Sequence, residues 1–530
     1  MKQMKPKTVM LPPCDKTVLQ RRGTDLLLKR FALILLAGLM VGLATWNLTN
    51  YPTISGWDEG VFLQFAKNLL HYGEYGTRNG ATFERMLPNG GSGPTFIVAV
   101  ALGMALGGDT LLAARAVMVI FLISSVVASY VLLNRLGGTI AAFFGTLCYV
   151  QAGYQSYDTL WLGRQVLAEI PALSFVLVGW LFWQQSWSEK KFNLGVASLC
   201  LFLAALTKNQ LILVLLPSFI LIGLIDRLYY RCLRWRHSII PFLAVAAGYS
   251  LWSIVAIWIA GPEQQAIYIE SLKAVTAAQF LHVGPTRWIE NLRMIYRSGQ
   301  GTLVVLALGF GFWQSRQRDE NGLAILSLSL LTAVALASFL LVSPSWPRYL
   351  HLPLALAMLC IGVLASNLVY WALARWPDRH ILIMSAFSSL MVILIGSRFL
   401  ANVQRIVKTS DNSACQFAQM LDSQLPLDAH FLNWEWELEF YSSRTFIHPD
   451  FRLFPALIDA TYNGQHATIL DAPRIPATAT YVVVGPFASQ TRVFDLELTM
   501  RSAQLIAEVG PYHLYEILKT VAHPSPVGSK

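Results

Sequence analysis

The chain has 530 residues, of which 55% are hydrophobic and only 13% charged, and its mean hydropathy is +0.49. That composition predicts an α-helical membrane protein with several spans and excludes an ordinary soluble domain. The formal net charge of +10 would suit a nucleic-acid partner only if it were concentrated in one patch. The basic residues lie mainly in short segments between apolar runs, so we expect no nucleic-acid partner.

Residues 1–30 form a basic arm, in which eight Lys and Arg outnumber Asp15 and Asp25. By the positive-inside rule this arm is cytoplasmic, and the apolar stretch 31–45 crosses outward. The stretch lies far from the N-terminus and lacks a small-residue cleavage site, so we interpret it as a retained span rather than a signal peptide.

An acidic pair, Asp58 and Glu59, follows the first span and is itself followed by an amphipathic helix predicted at 61–72, ending before Gly73. Carboxylates at the membrane surface are costly unless they have a function. The simpler reading is two solvated loop acids. Their position favours an active site that is supplied from the lipid.

The segment 93–107 decides the topology, because it is apolar but short and contains several glycines. If it lies in the interface, nearly all basic connectors fall on the cytoplasmic side, and we therefore predict about 11 spans, with 12 or 13 as the alternative. The predicted spans are 31–45, 113–133, 139–154, 169–183, 192–207, 210–225, 239–260, 303–314, 323–342, 350–371 and 381–399.

This topology gives a membrane domain at 31–400 with outer loops at 50–109 and 261–301, and an outer C-terminal region at 401–530. The C-terminal region carries 9 Lys and Arg against 13 Asp and Glu, unlike the basic cytoplasmic loops. A helix is predicted near 413–425, and strand-like runs occur at 431–434, 481–484 and 512–515. We expect a small α/β domain on the non-cytoplasmic side.

Common cofactor and metal motifs are missing from the sequence. Of the six cysteines, only Cys415 falls in the outer domain, so no structural disulfide is expected there. The histidines are scattered, and there is no CxxC, HExxH, P-loop or dinucleotide motif. We therefore predict no transition-metal or nucleotide site and leave a divalent cation open.

Four further polar residues are predicted near the outer surface of the membrane. Glu169 stands where a span begins, Lys208 lies in a tight turn between two spans, and Arg348 and Tyr349 lie at another turn. Each charged residue has a structural alternative. Glu169 would be an acid favoured by the helix dipole, Lys208 a snorkelling lysine, and Arg348 an arginine bound to lipid headgroups. The functional reading is a phosphate site beside the acids.

One reaction uses all of these residues. If a sugar donor is carried on a polyprenyl phosphate, the leaving group is an ionised phosphate that needs cations, and Arg348 and Lys208 supply them. The acceptor then needs a base, for which Asp58 is the candidate, supported by Glu59. Glu169 would orient the acceptor or the sugar.

The order of these motifs resembles that of polyprenyl-phosphate-sugar-dependent glycosyltransferases of GT-C type, the protein O-mannosyltransferase and lipid A aminoarabinose transferase group (family 39 and related). The resemblance covers about residues 31–360 and rests on Asp58-Glu59, Gly93-Pro94, Glu169-Ile170-Pro171, Thr207-Lys208 and Arg348-Tyr349.

The resemblance implies an inverting transfer on the non-cytoplasmic face, with Asp58 as the catalytic acid of the first outer loop. Two departures matter. The second acidic position, often Asp-Pro in relatives, is Glu169-Ile170-Pro171 here. The basic residue of the first outer loop has only Arg85 or Arg78 as candidates, and we place Arg85 provisionally with the phosphate-binding residues.

Other functions remain open at this stage. A transporter or flippase of lipid-linked sugars would show charges within its spans or an internal repeat. An outer-face glycan polymerase or ligase would use a large basic loop, and 261–301 carries four Lys and Arg. A purely structural role for the protein would not explain why Asp58, Glu169 and Arg348 are predicted at the same level of the membrane. If the protein is instead the predicted glycosyltransferase, we expect it in the plasma membrane, transferring a hexose or a pentose. Its acceptor would be a protein, a glycolipid or a cell-wall glycan.

Overall fold

A computed structural model of the protein describes residues 34, 37–50, 56–87, 92–188, 191–276, 284–343, 345–408, 410–450, 453, 475–476 and 478–518. The predicted basic arm and the start of the predicted first span lie outside these residues. The predicted fold class is confirmed: the chain is a polytopic α-helical membrane protein with a C-terminal α/β domain.

The helices of the membrane domain follow the apolar stretches of the sequence. In chain order they are α1 (37–45), α2 (Gly56–Tyr72), α3 (Pro94–Gly107), α4 (Leu111–Val150), α5 (Thr159–Leu162), α6 (Glu169–Ser186), α7 (Lys191–Thr207), α8 (Ile212–Ile225), α9 (Arg236–Thr276), α10 (Pro285–Arg297), α11 (Gly301–Gln314), α12 (Glu320–Val342), α13 (His351–Arg375) and α14 (His380–Lys408).

Six helical stretches of the described chain are long and apolar enough to cross a membrane. The helices α3, α7 and α11 are equally apolar but shorter. The placement of α3 in the interface, and the total of about 11 spans, therefore stay predictions. The six long stretches are Leu111–Val150, Asn209–Tyr230, Arg236–Glu270, Glu320–Val342, Pro347–Arg375 and Pro377–Gln424.

Two of the long helices are broken at a glycine. Gly138 interrupts α4 at φ 75°, a conformation that glycine adopts without strain. A Cβ built on Gly145 would lie 2.6 Å from Cδ1 of Leu133, twelve residues earlier, so the halves of α4 fold back on each other. The spans predicted at 113–133 and 139–154 are therefore the two halves of α4. Gly261 breaks α9 in the same way, at φ 68°.

Three boundaries differ from the sequence prediction. The helix expected from residue 61 already begins at Gly56, so the acidic pair lies in its first turn rather than in a loop. The outer segment 261–301 is largely helical, because α9 continues past Gly261 and α10 follows. The last membrane helix, α14, extends to Lys408, beyond the predicted domain boundary at residue 401.

Helix α13 is central to the membrane domain, where it packs against α4, α11 and α12. Most of its residues from His351 to Val363 are buried. Helix α6 packs between α4 and α7, and α7 packs on α9. In the first outer loop, α2 packs on α3 and on a hairpin of β1 (Gly76–Asn79) and β2 (Thr82–Arg85).

The C-terminal domain is built on a five-stranded sheet with the order β4-β3-β5-β7-β6. Strands β3, β4 and β5 run parallel, and β7 pairs antiparallel with β5 and β6. The predicted helix and the three predicted strand regions are all present. The elements are α15 (Ser413–Gln424), β3 (Phe431–Leu432), α16 (Leu438–Tyr441), β4 (Phe446–Ile447), β5 (Tyr481–Val484), α17 (Pro486–Thr491), α18 (Asp495–Met500), β6 (Gln504–Val509) and β7 (Tyr512–Glu516).

This domain docks directly on α2. Gln64 Nε2 on α2 donates to the carbonyl oxygen of Trp436 at 3.0 Å. A Cβ built on Gly60 would lie 2.4 Å from the backbone nitrogen of Glu437, so only glycine permits this approach. The helix that carries the acidic pair is therefore held from outside by the C-terminal domain.

Candidate active site

The two acids of the first outer loop have different partners. Glu59 is fully buried, and its carboxylate accepts from Nε and Nη2 of Arg115 at 2.8 and 2.9 Å. It also accepts from the backbone N–H of Val166 at 2.9 Å. Glu59 thus joins α2, α4 and the segment that leads into α6. Arg115 lies near the start of the span predicted at 113–133 and was not among the predicted site residues.

Asp58 belongs to a four-residue charge cluster, which we define as Asp58, Glu169, Lys208 and Arg348. Asp58 is paired with Nη1 of Arg348. Lys208 Nζ lies 2.6 Å from Oε1 of Glu169, and Arg348 Nε lies 4.0 Å from the same oxygen. The four side chains are only 8–16% exposed, so these charges interact in a largely desolvated setting.

Each member of the charge cluster comes from the end of a different helix. Glu169 opens α6, and Lys208 follows α7 in an extended conformation. Arg348 lies in a 3₁₀ turn, Pro347–Leu350, immediately before α13. Helix ends bring polar side chains to the membrane surface while the apolar helix bodies pack below. The four sequence-predicted residues are therefore brought together.

Two aromatic side chains flank Arg348. The rings of Trp346 and Tyr349 stack with centroids 5.6 Å apart and an interplanar angle of 13°. The guanidinium carbon lies 4.9 Å from one ring centroid and 5.1 Å from the other. The Tyr349 hydroxyl also accepts from Gln210 Nε2 at 3.2 Å. This packing restricts the guanidinium, as cation–π contacts with planar arginine do.

A cavity, open at one side, extends from the charge cluster between α6, α8, α12 and α13. One end is charged and the remaining wall is mainly apolar. Such a cavity fits a ligand with an anionic head and a hydrocarbon tail. The charged and polar end has Glu169, Lys208, Gln210, Arg348, Tyr349 and His351, and the apolar wall includes Leu173, Leu211, Leu213, Val214, Ala335, Phe339 and Leu352.

The electrostatic environment of Asp58 suits a base. Burial raises the pKa of Asp58 above its usual value, and the Arg348 guanidinium opposes that shift. Any anion that draws Arg348 away removes the opposing effect. Binding of such an anion would therefore strengthen Asp58 as a proton acceptor.

His351 is a residue that the sequence analysis did not single out. It is buried at the start of α13, lines the cavity, and its Nε2 lies 2.9 Å from Oγ1 of Thr159. Its position one helical turn beyond Arg348 was visible in the sequence. Its burial depends on α5, which is distant in sequence.

Arg85 is not brought into the charge cluster. From the end of β2, its guanidinium makes two 2.7 Å hydrogen bonds to the carboxylate of Glu74, which lies just before β1. Its backbone N–H donates to Gln264 at 2.7 Å. Within the described ranges, no three His, Cys, Asp or Glu side chains are grouped as metal ligands.

No protein-family model and no curated protein matches the chain. Solved structures do match. ArnT from Cupriavidus metallidurans, solved bound to undecaprenyl phosphate, superposes with a TM-score of 0.58 at 14% identity, over 95% of this chain and 100% of ArnT. The Archaeoglobus fulgidus oligosaccharyltransferase in its apo form gives a TM-score of 0.55 at 10% identity, over 86% of this chain and 69% of that chain.

The same archaeal enzyme, AglB, has also been solved with an inhibitory peptide and a dolichol-phosphate, and that structure gives a TM-score of 0.52. At identities this low the likeness establishes the fold alone. The chain therefore has the fold of the GT-C glycosyltransferases, as the motif order predicted. Function has to be argued from the site itself.

Proposed function

We propose that the protein is an integral-membrane glycosyltransferase that moves a sugar from a polyprenyl-phosphate donor to an acceptor on the non-cytoplasmic face. The observation that supports this proposal is the charge cluster at the head of an apolar cavity. An anionic lipid head and its tail match the two parts of that cavity.

In this proposal Arg348 and Lys208 bind the donor phosphate. Both cations are paired with carboxylates, Asp58 and Glu169, and both lie against the Tyr349 ring. The phosphodiester of the donor carries one negative charge, and the monoester left after transfer gains a second, so both cations can give it charge-assisted hydrogen bonds. The undecaprenyl phosphate bound to ArnT and the dolichol-phosphate bound to AglB are ligands of this kind.

The proposed chemistry is a single displacement. The acceptor hydroxyl or amine attacks the anomeric carbon, Asp58 takes its proton, and the carbon–oxygen bond to the phosphate breaks with its electrons on the leaving phosphate. A single displacement inverts the anomeric configuration. Arg348 and Lys208 stabilise the leaving group. Glu169, held by Lys208, orients the sugar or the acceptor.

The orientation of the site follows from the basic connectors, which the positive-inside rule places in the cytoplasm. The charge cluster and the C-terminal domain then face the periplasm or cell exterior. Protein, glycolipid and cell-wall glycan acceptors all suit that location, as does a hexose or a pentose.

The test is release of free polyprenyl phosphate by the purified protein in nanodiscs. The donors are a panel of polyprenyl-phosphate sugars, with cell extract as the acceptor. We expect release from one donor by the wild type and none by Asp58→Asn. If no donor is consumed and labelled sugar-lipid instead crosses the bilayer of proteoliposomes, the protein is a transporter and the proposal is wrong.

A further inference from the structure

A second polar pocket lies beside α2, separate from the donor cavity. It is open to one side and is lined by Asn47, Asn50, Arg115, Trp161, Arg164 and Gln165, with Ile406 at its edge. It shares no lining residue with the donor cavity. The first turn of α2 connects the two pockets. Asp58 pairs with Arg348 of the donor cavity, and Glu59 pairs with Arg115 of the second pocket.

Arg164 is a buried cation without a carboxylate partner in the part of the chain that the structure describes. It is 7% exposed, its Nη2 donates to the carbonyl oxygen of Trp46, and its Nε has no partner. Burial, reinforced by the neighbouring Arg115, lowers the pKa of Arg164 to about 10. A buried guanidinium is costly unless an anion compensates it.

The nearby carboxylates are committed to other cations. Glu59 holds Arg115 with two hydrogen bonds. Asp158 accepts from the backbone N–H of Trp161 and lies 3.5 Å from Arg405. Among the described residues, Arg115 and Arg405 are thus the cations that Glu59 and Asp158 hold, and Arg164 has no hydrogen-bonded carboxylate of its own.

Neutral donors line the same pocket. Gln165 Nε2 and the indole Nε1 of Trp161 are buried donors without a hydrogen-bond partner among the described residues, and the acceptor Gln165 Oε1 also has none there. Buried donors normally find an acceptor. Together with Arg164 Nε they provide N–H groups that suit the several oxygens of a phosphate, and the guanidinium provides the charge.

We propose that this pocket is a second anion-binding site, specific for a phosphate group, and that it acts independently of the transfer reaction. Asn47 and Asn50 directly follow α1, which places the pocket where the chain leaves the membrane. The phosphate therefore comes from a phospholipid headgroup or from solution. Its occupation would fix the segment from Trp161 to Val166, whose backbone holds Glu59.

The test measures thermal unfolding of the full-length protein in phosphatidylcholine nanodiscs with and without inorganic phosphate. A parallel series uses nanodiscs of phosphatidylcholine with phosphatidylglycerol. We expect phosphate, phosphatidylglycerol or both to raise the unfolding temperature, because a ligand of the native state stabilises it. Stabilisation by soluble phosphate in phosphatidylcholine identifies a free anion, and stabilisation by phosphatidylglycerol alone identifies a lipid headgroup.

Three variants make the test specific. Because the donor cavity is also proposed to bind phosphate, Arg164→Gln is compared with the wild type and, combined with Arg348→Gln, with Arg348→Gln alone. In each comparison it should weaken the anion response by at least tenfold in apparent Kd, without unfolding at a lower temperature when no anion is present. Arg348→Gln removes a donor-cavity cation and should retain the response, as should Arg297→Gln, which removes an exposed charge from α10. If Arg164→Gln lowers stability but responds to anions like the wild type, Arg164 is only structural and the proposal is wrong. An absence of any anion response in the wild type contradicts it equally.

Discussion

At the scale of single residues, adjacent acids in one helical turn have different surroundings. Glu59 is enclosed by Arg115 and a backbone N–H, whereas Asp58 faces the cavity through Arg348. Successive residues on a helix point about 100° apart, which separates the two carboxylates. This geometry is consistent with the proposal, in which Glu59 supports the structure and Asp58 is the base.

Replacing Glu59 tests its structural role. Glu59→Ala removes the carboxylate that holds the buried Arg115, and we expect a loss of about 3–5 kcal/mol of stability. Glu59→Leu combined with Arg115→Met should recover most of that loss, because the buried charge is also removed. Thermal unfolding in detergent is the measurement, with the exposed Glu263→Ala as the control. Equal stability of Glu59→Ala and the wild type would contradict the assignment.

Replacing Arg348 tests the donor site. Arg348→Gln should weaken binding of undecaprenyl phosphate by about 10- to 100-fold, the effect of losing hydrogen bonds to a charged group. Lys208→Gln should act in the same direction. Arg85→Gln is the matched control, because Arg85 is bound to Glu74 just before the hairpin. Binding is measured by titration in detergent. If only Arg85→Gln greatly weakened the binding of undecaprenyl phosphate, the phosphate would bind away from the charge cluster.

The sequence was sufficient to predict the members of the charge cluster but not their pairing. Asp58, Glu169, Lys208 and Arg348 each follow an apolar stretch, and the topology places them at one membrane surface. The Glu59–Arg115 pair depends on how α2 packs against α4, which periodicity does not report. Arg85 was included because of its charge in the first outer loop, and the hairpin directs it to Glu74.

At the scale of elements, the segment between β3 and α16 of the C-terminal domain contains unusual buried acids. Glu435 accepts hydrogen bonds from the backbone N–H groups of Gly485, Phe487 and Ala488, and Glu437 accepts from the Tyr512 hydroxyl at 2.8 Å. Burial raises the pKa of Glu435 to about 8 and that of Glu437 to about 7. The glutamates are therefore protonated in the folded domain at mildly acidic pH.

This shift predicts a stability that falls as the pH rises. The usual glutamate pKa is 4.5, so the folded state holds these protons more tightly than the unfolded state. The stabilisation is complete below about pH 4.5 and is lost as the pH approaches about 8. Thermal unfolding followed across this range should show the decline.

A neutral side chain should remove much of this pH dependence. Glu435→Gln should flatten the decline, and Glu437→Gln should do so in part, whereas the exposed Asp428→Asn should leave it unchanged. If Glu435→Gln and Glu437→Gln both follow the wild-type pH curve, these groups do not titrate on unfolding. The predicted strand-like run ends at residue 434, and the burial of Glu435 and Glu437 just after it was not predicted from the sequence.

At the scale of the whole molecule, the C-terminal domain packs against α2, the helix that carries Asp58 and Glu59. The hairpin contributes as well, since Gly80 N–H donates to the carbonyl oxygen of Phe446 at 2.7 Å and Asn79 Oδ1 accepts from His448 N–H at 2.9 Å. The sequence predicted this α/β domain but gave no partner for it. Docking of two regions almost 400 residues apart depends on surface shape, which composition does not encode.

Closing the space at Gly60 tests the docking. In Gly60→Ala the new Cβ would clash with the backbone of Trp436 and Glu437, and we expect a cost of about 1–3 kcal/mol together with slower transfer. Gly195→Ala is the matched control, because a Cβ on that helical glycine has no neighbour within 4 Å. Thermal unfolding and sugar transfer are measured for both. Unchanged unfolding of Gly60→Ala would show that the domain is not held against α2.

The most direct test of the account separates donor binding from chemistry at Asp58. Protein loaded with saturating polyprenyl-phosphate sugar is mixed with acceptor, and the single-turnover rate of transfer is compared between wild type and Asp58→Asn. We predict that Asp58→Asn binds donor at least as well as the wild type but transfers about 10²- to 10⁴-fold more slowly, the range for loss of a general base. Transfer by Asp58→Asn within a few-fold of the wild-type rate would contradict the account.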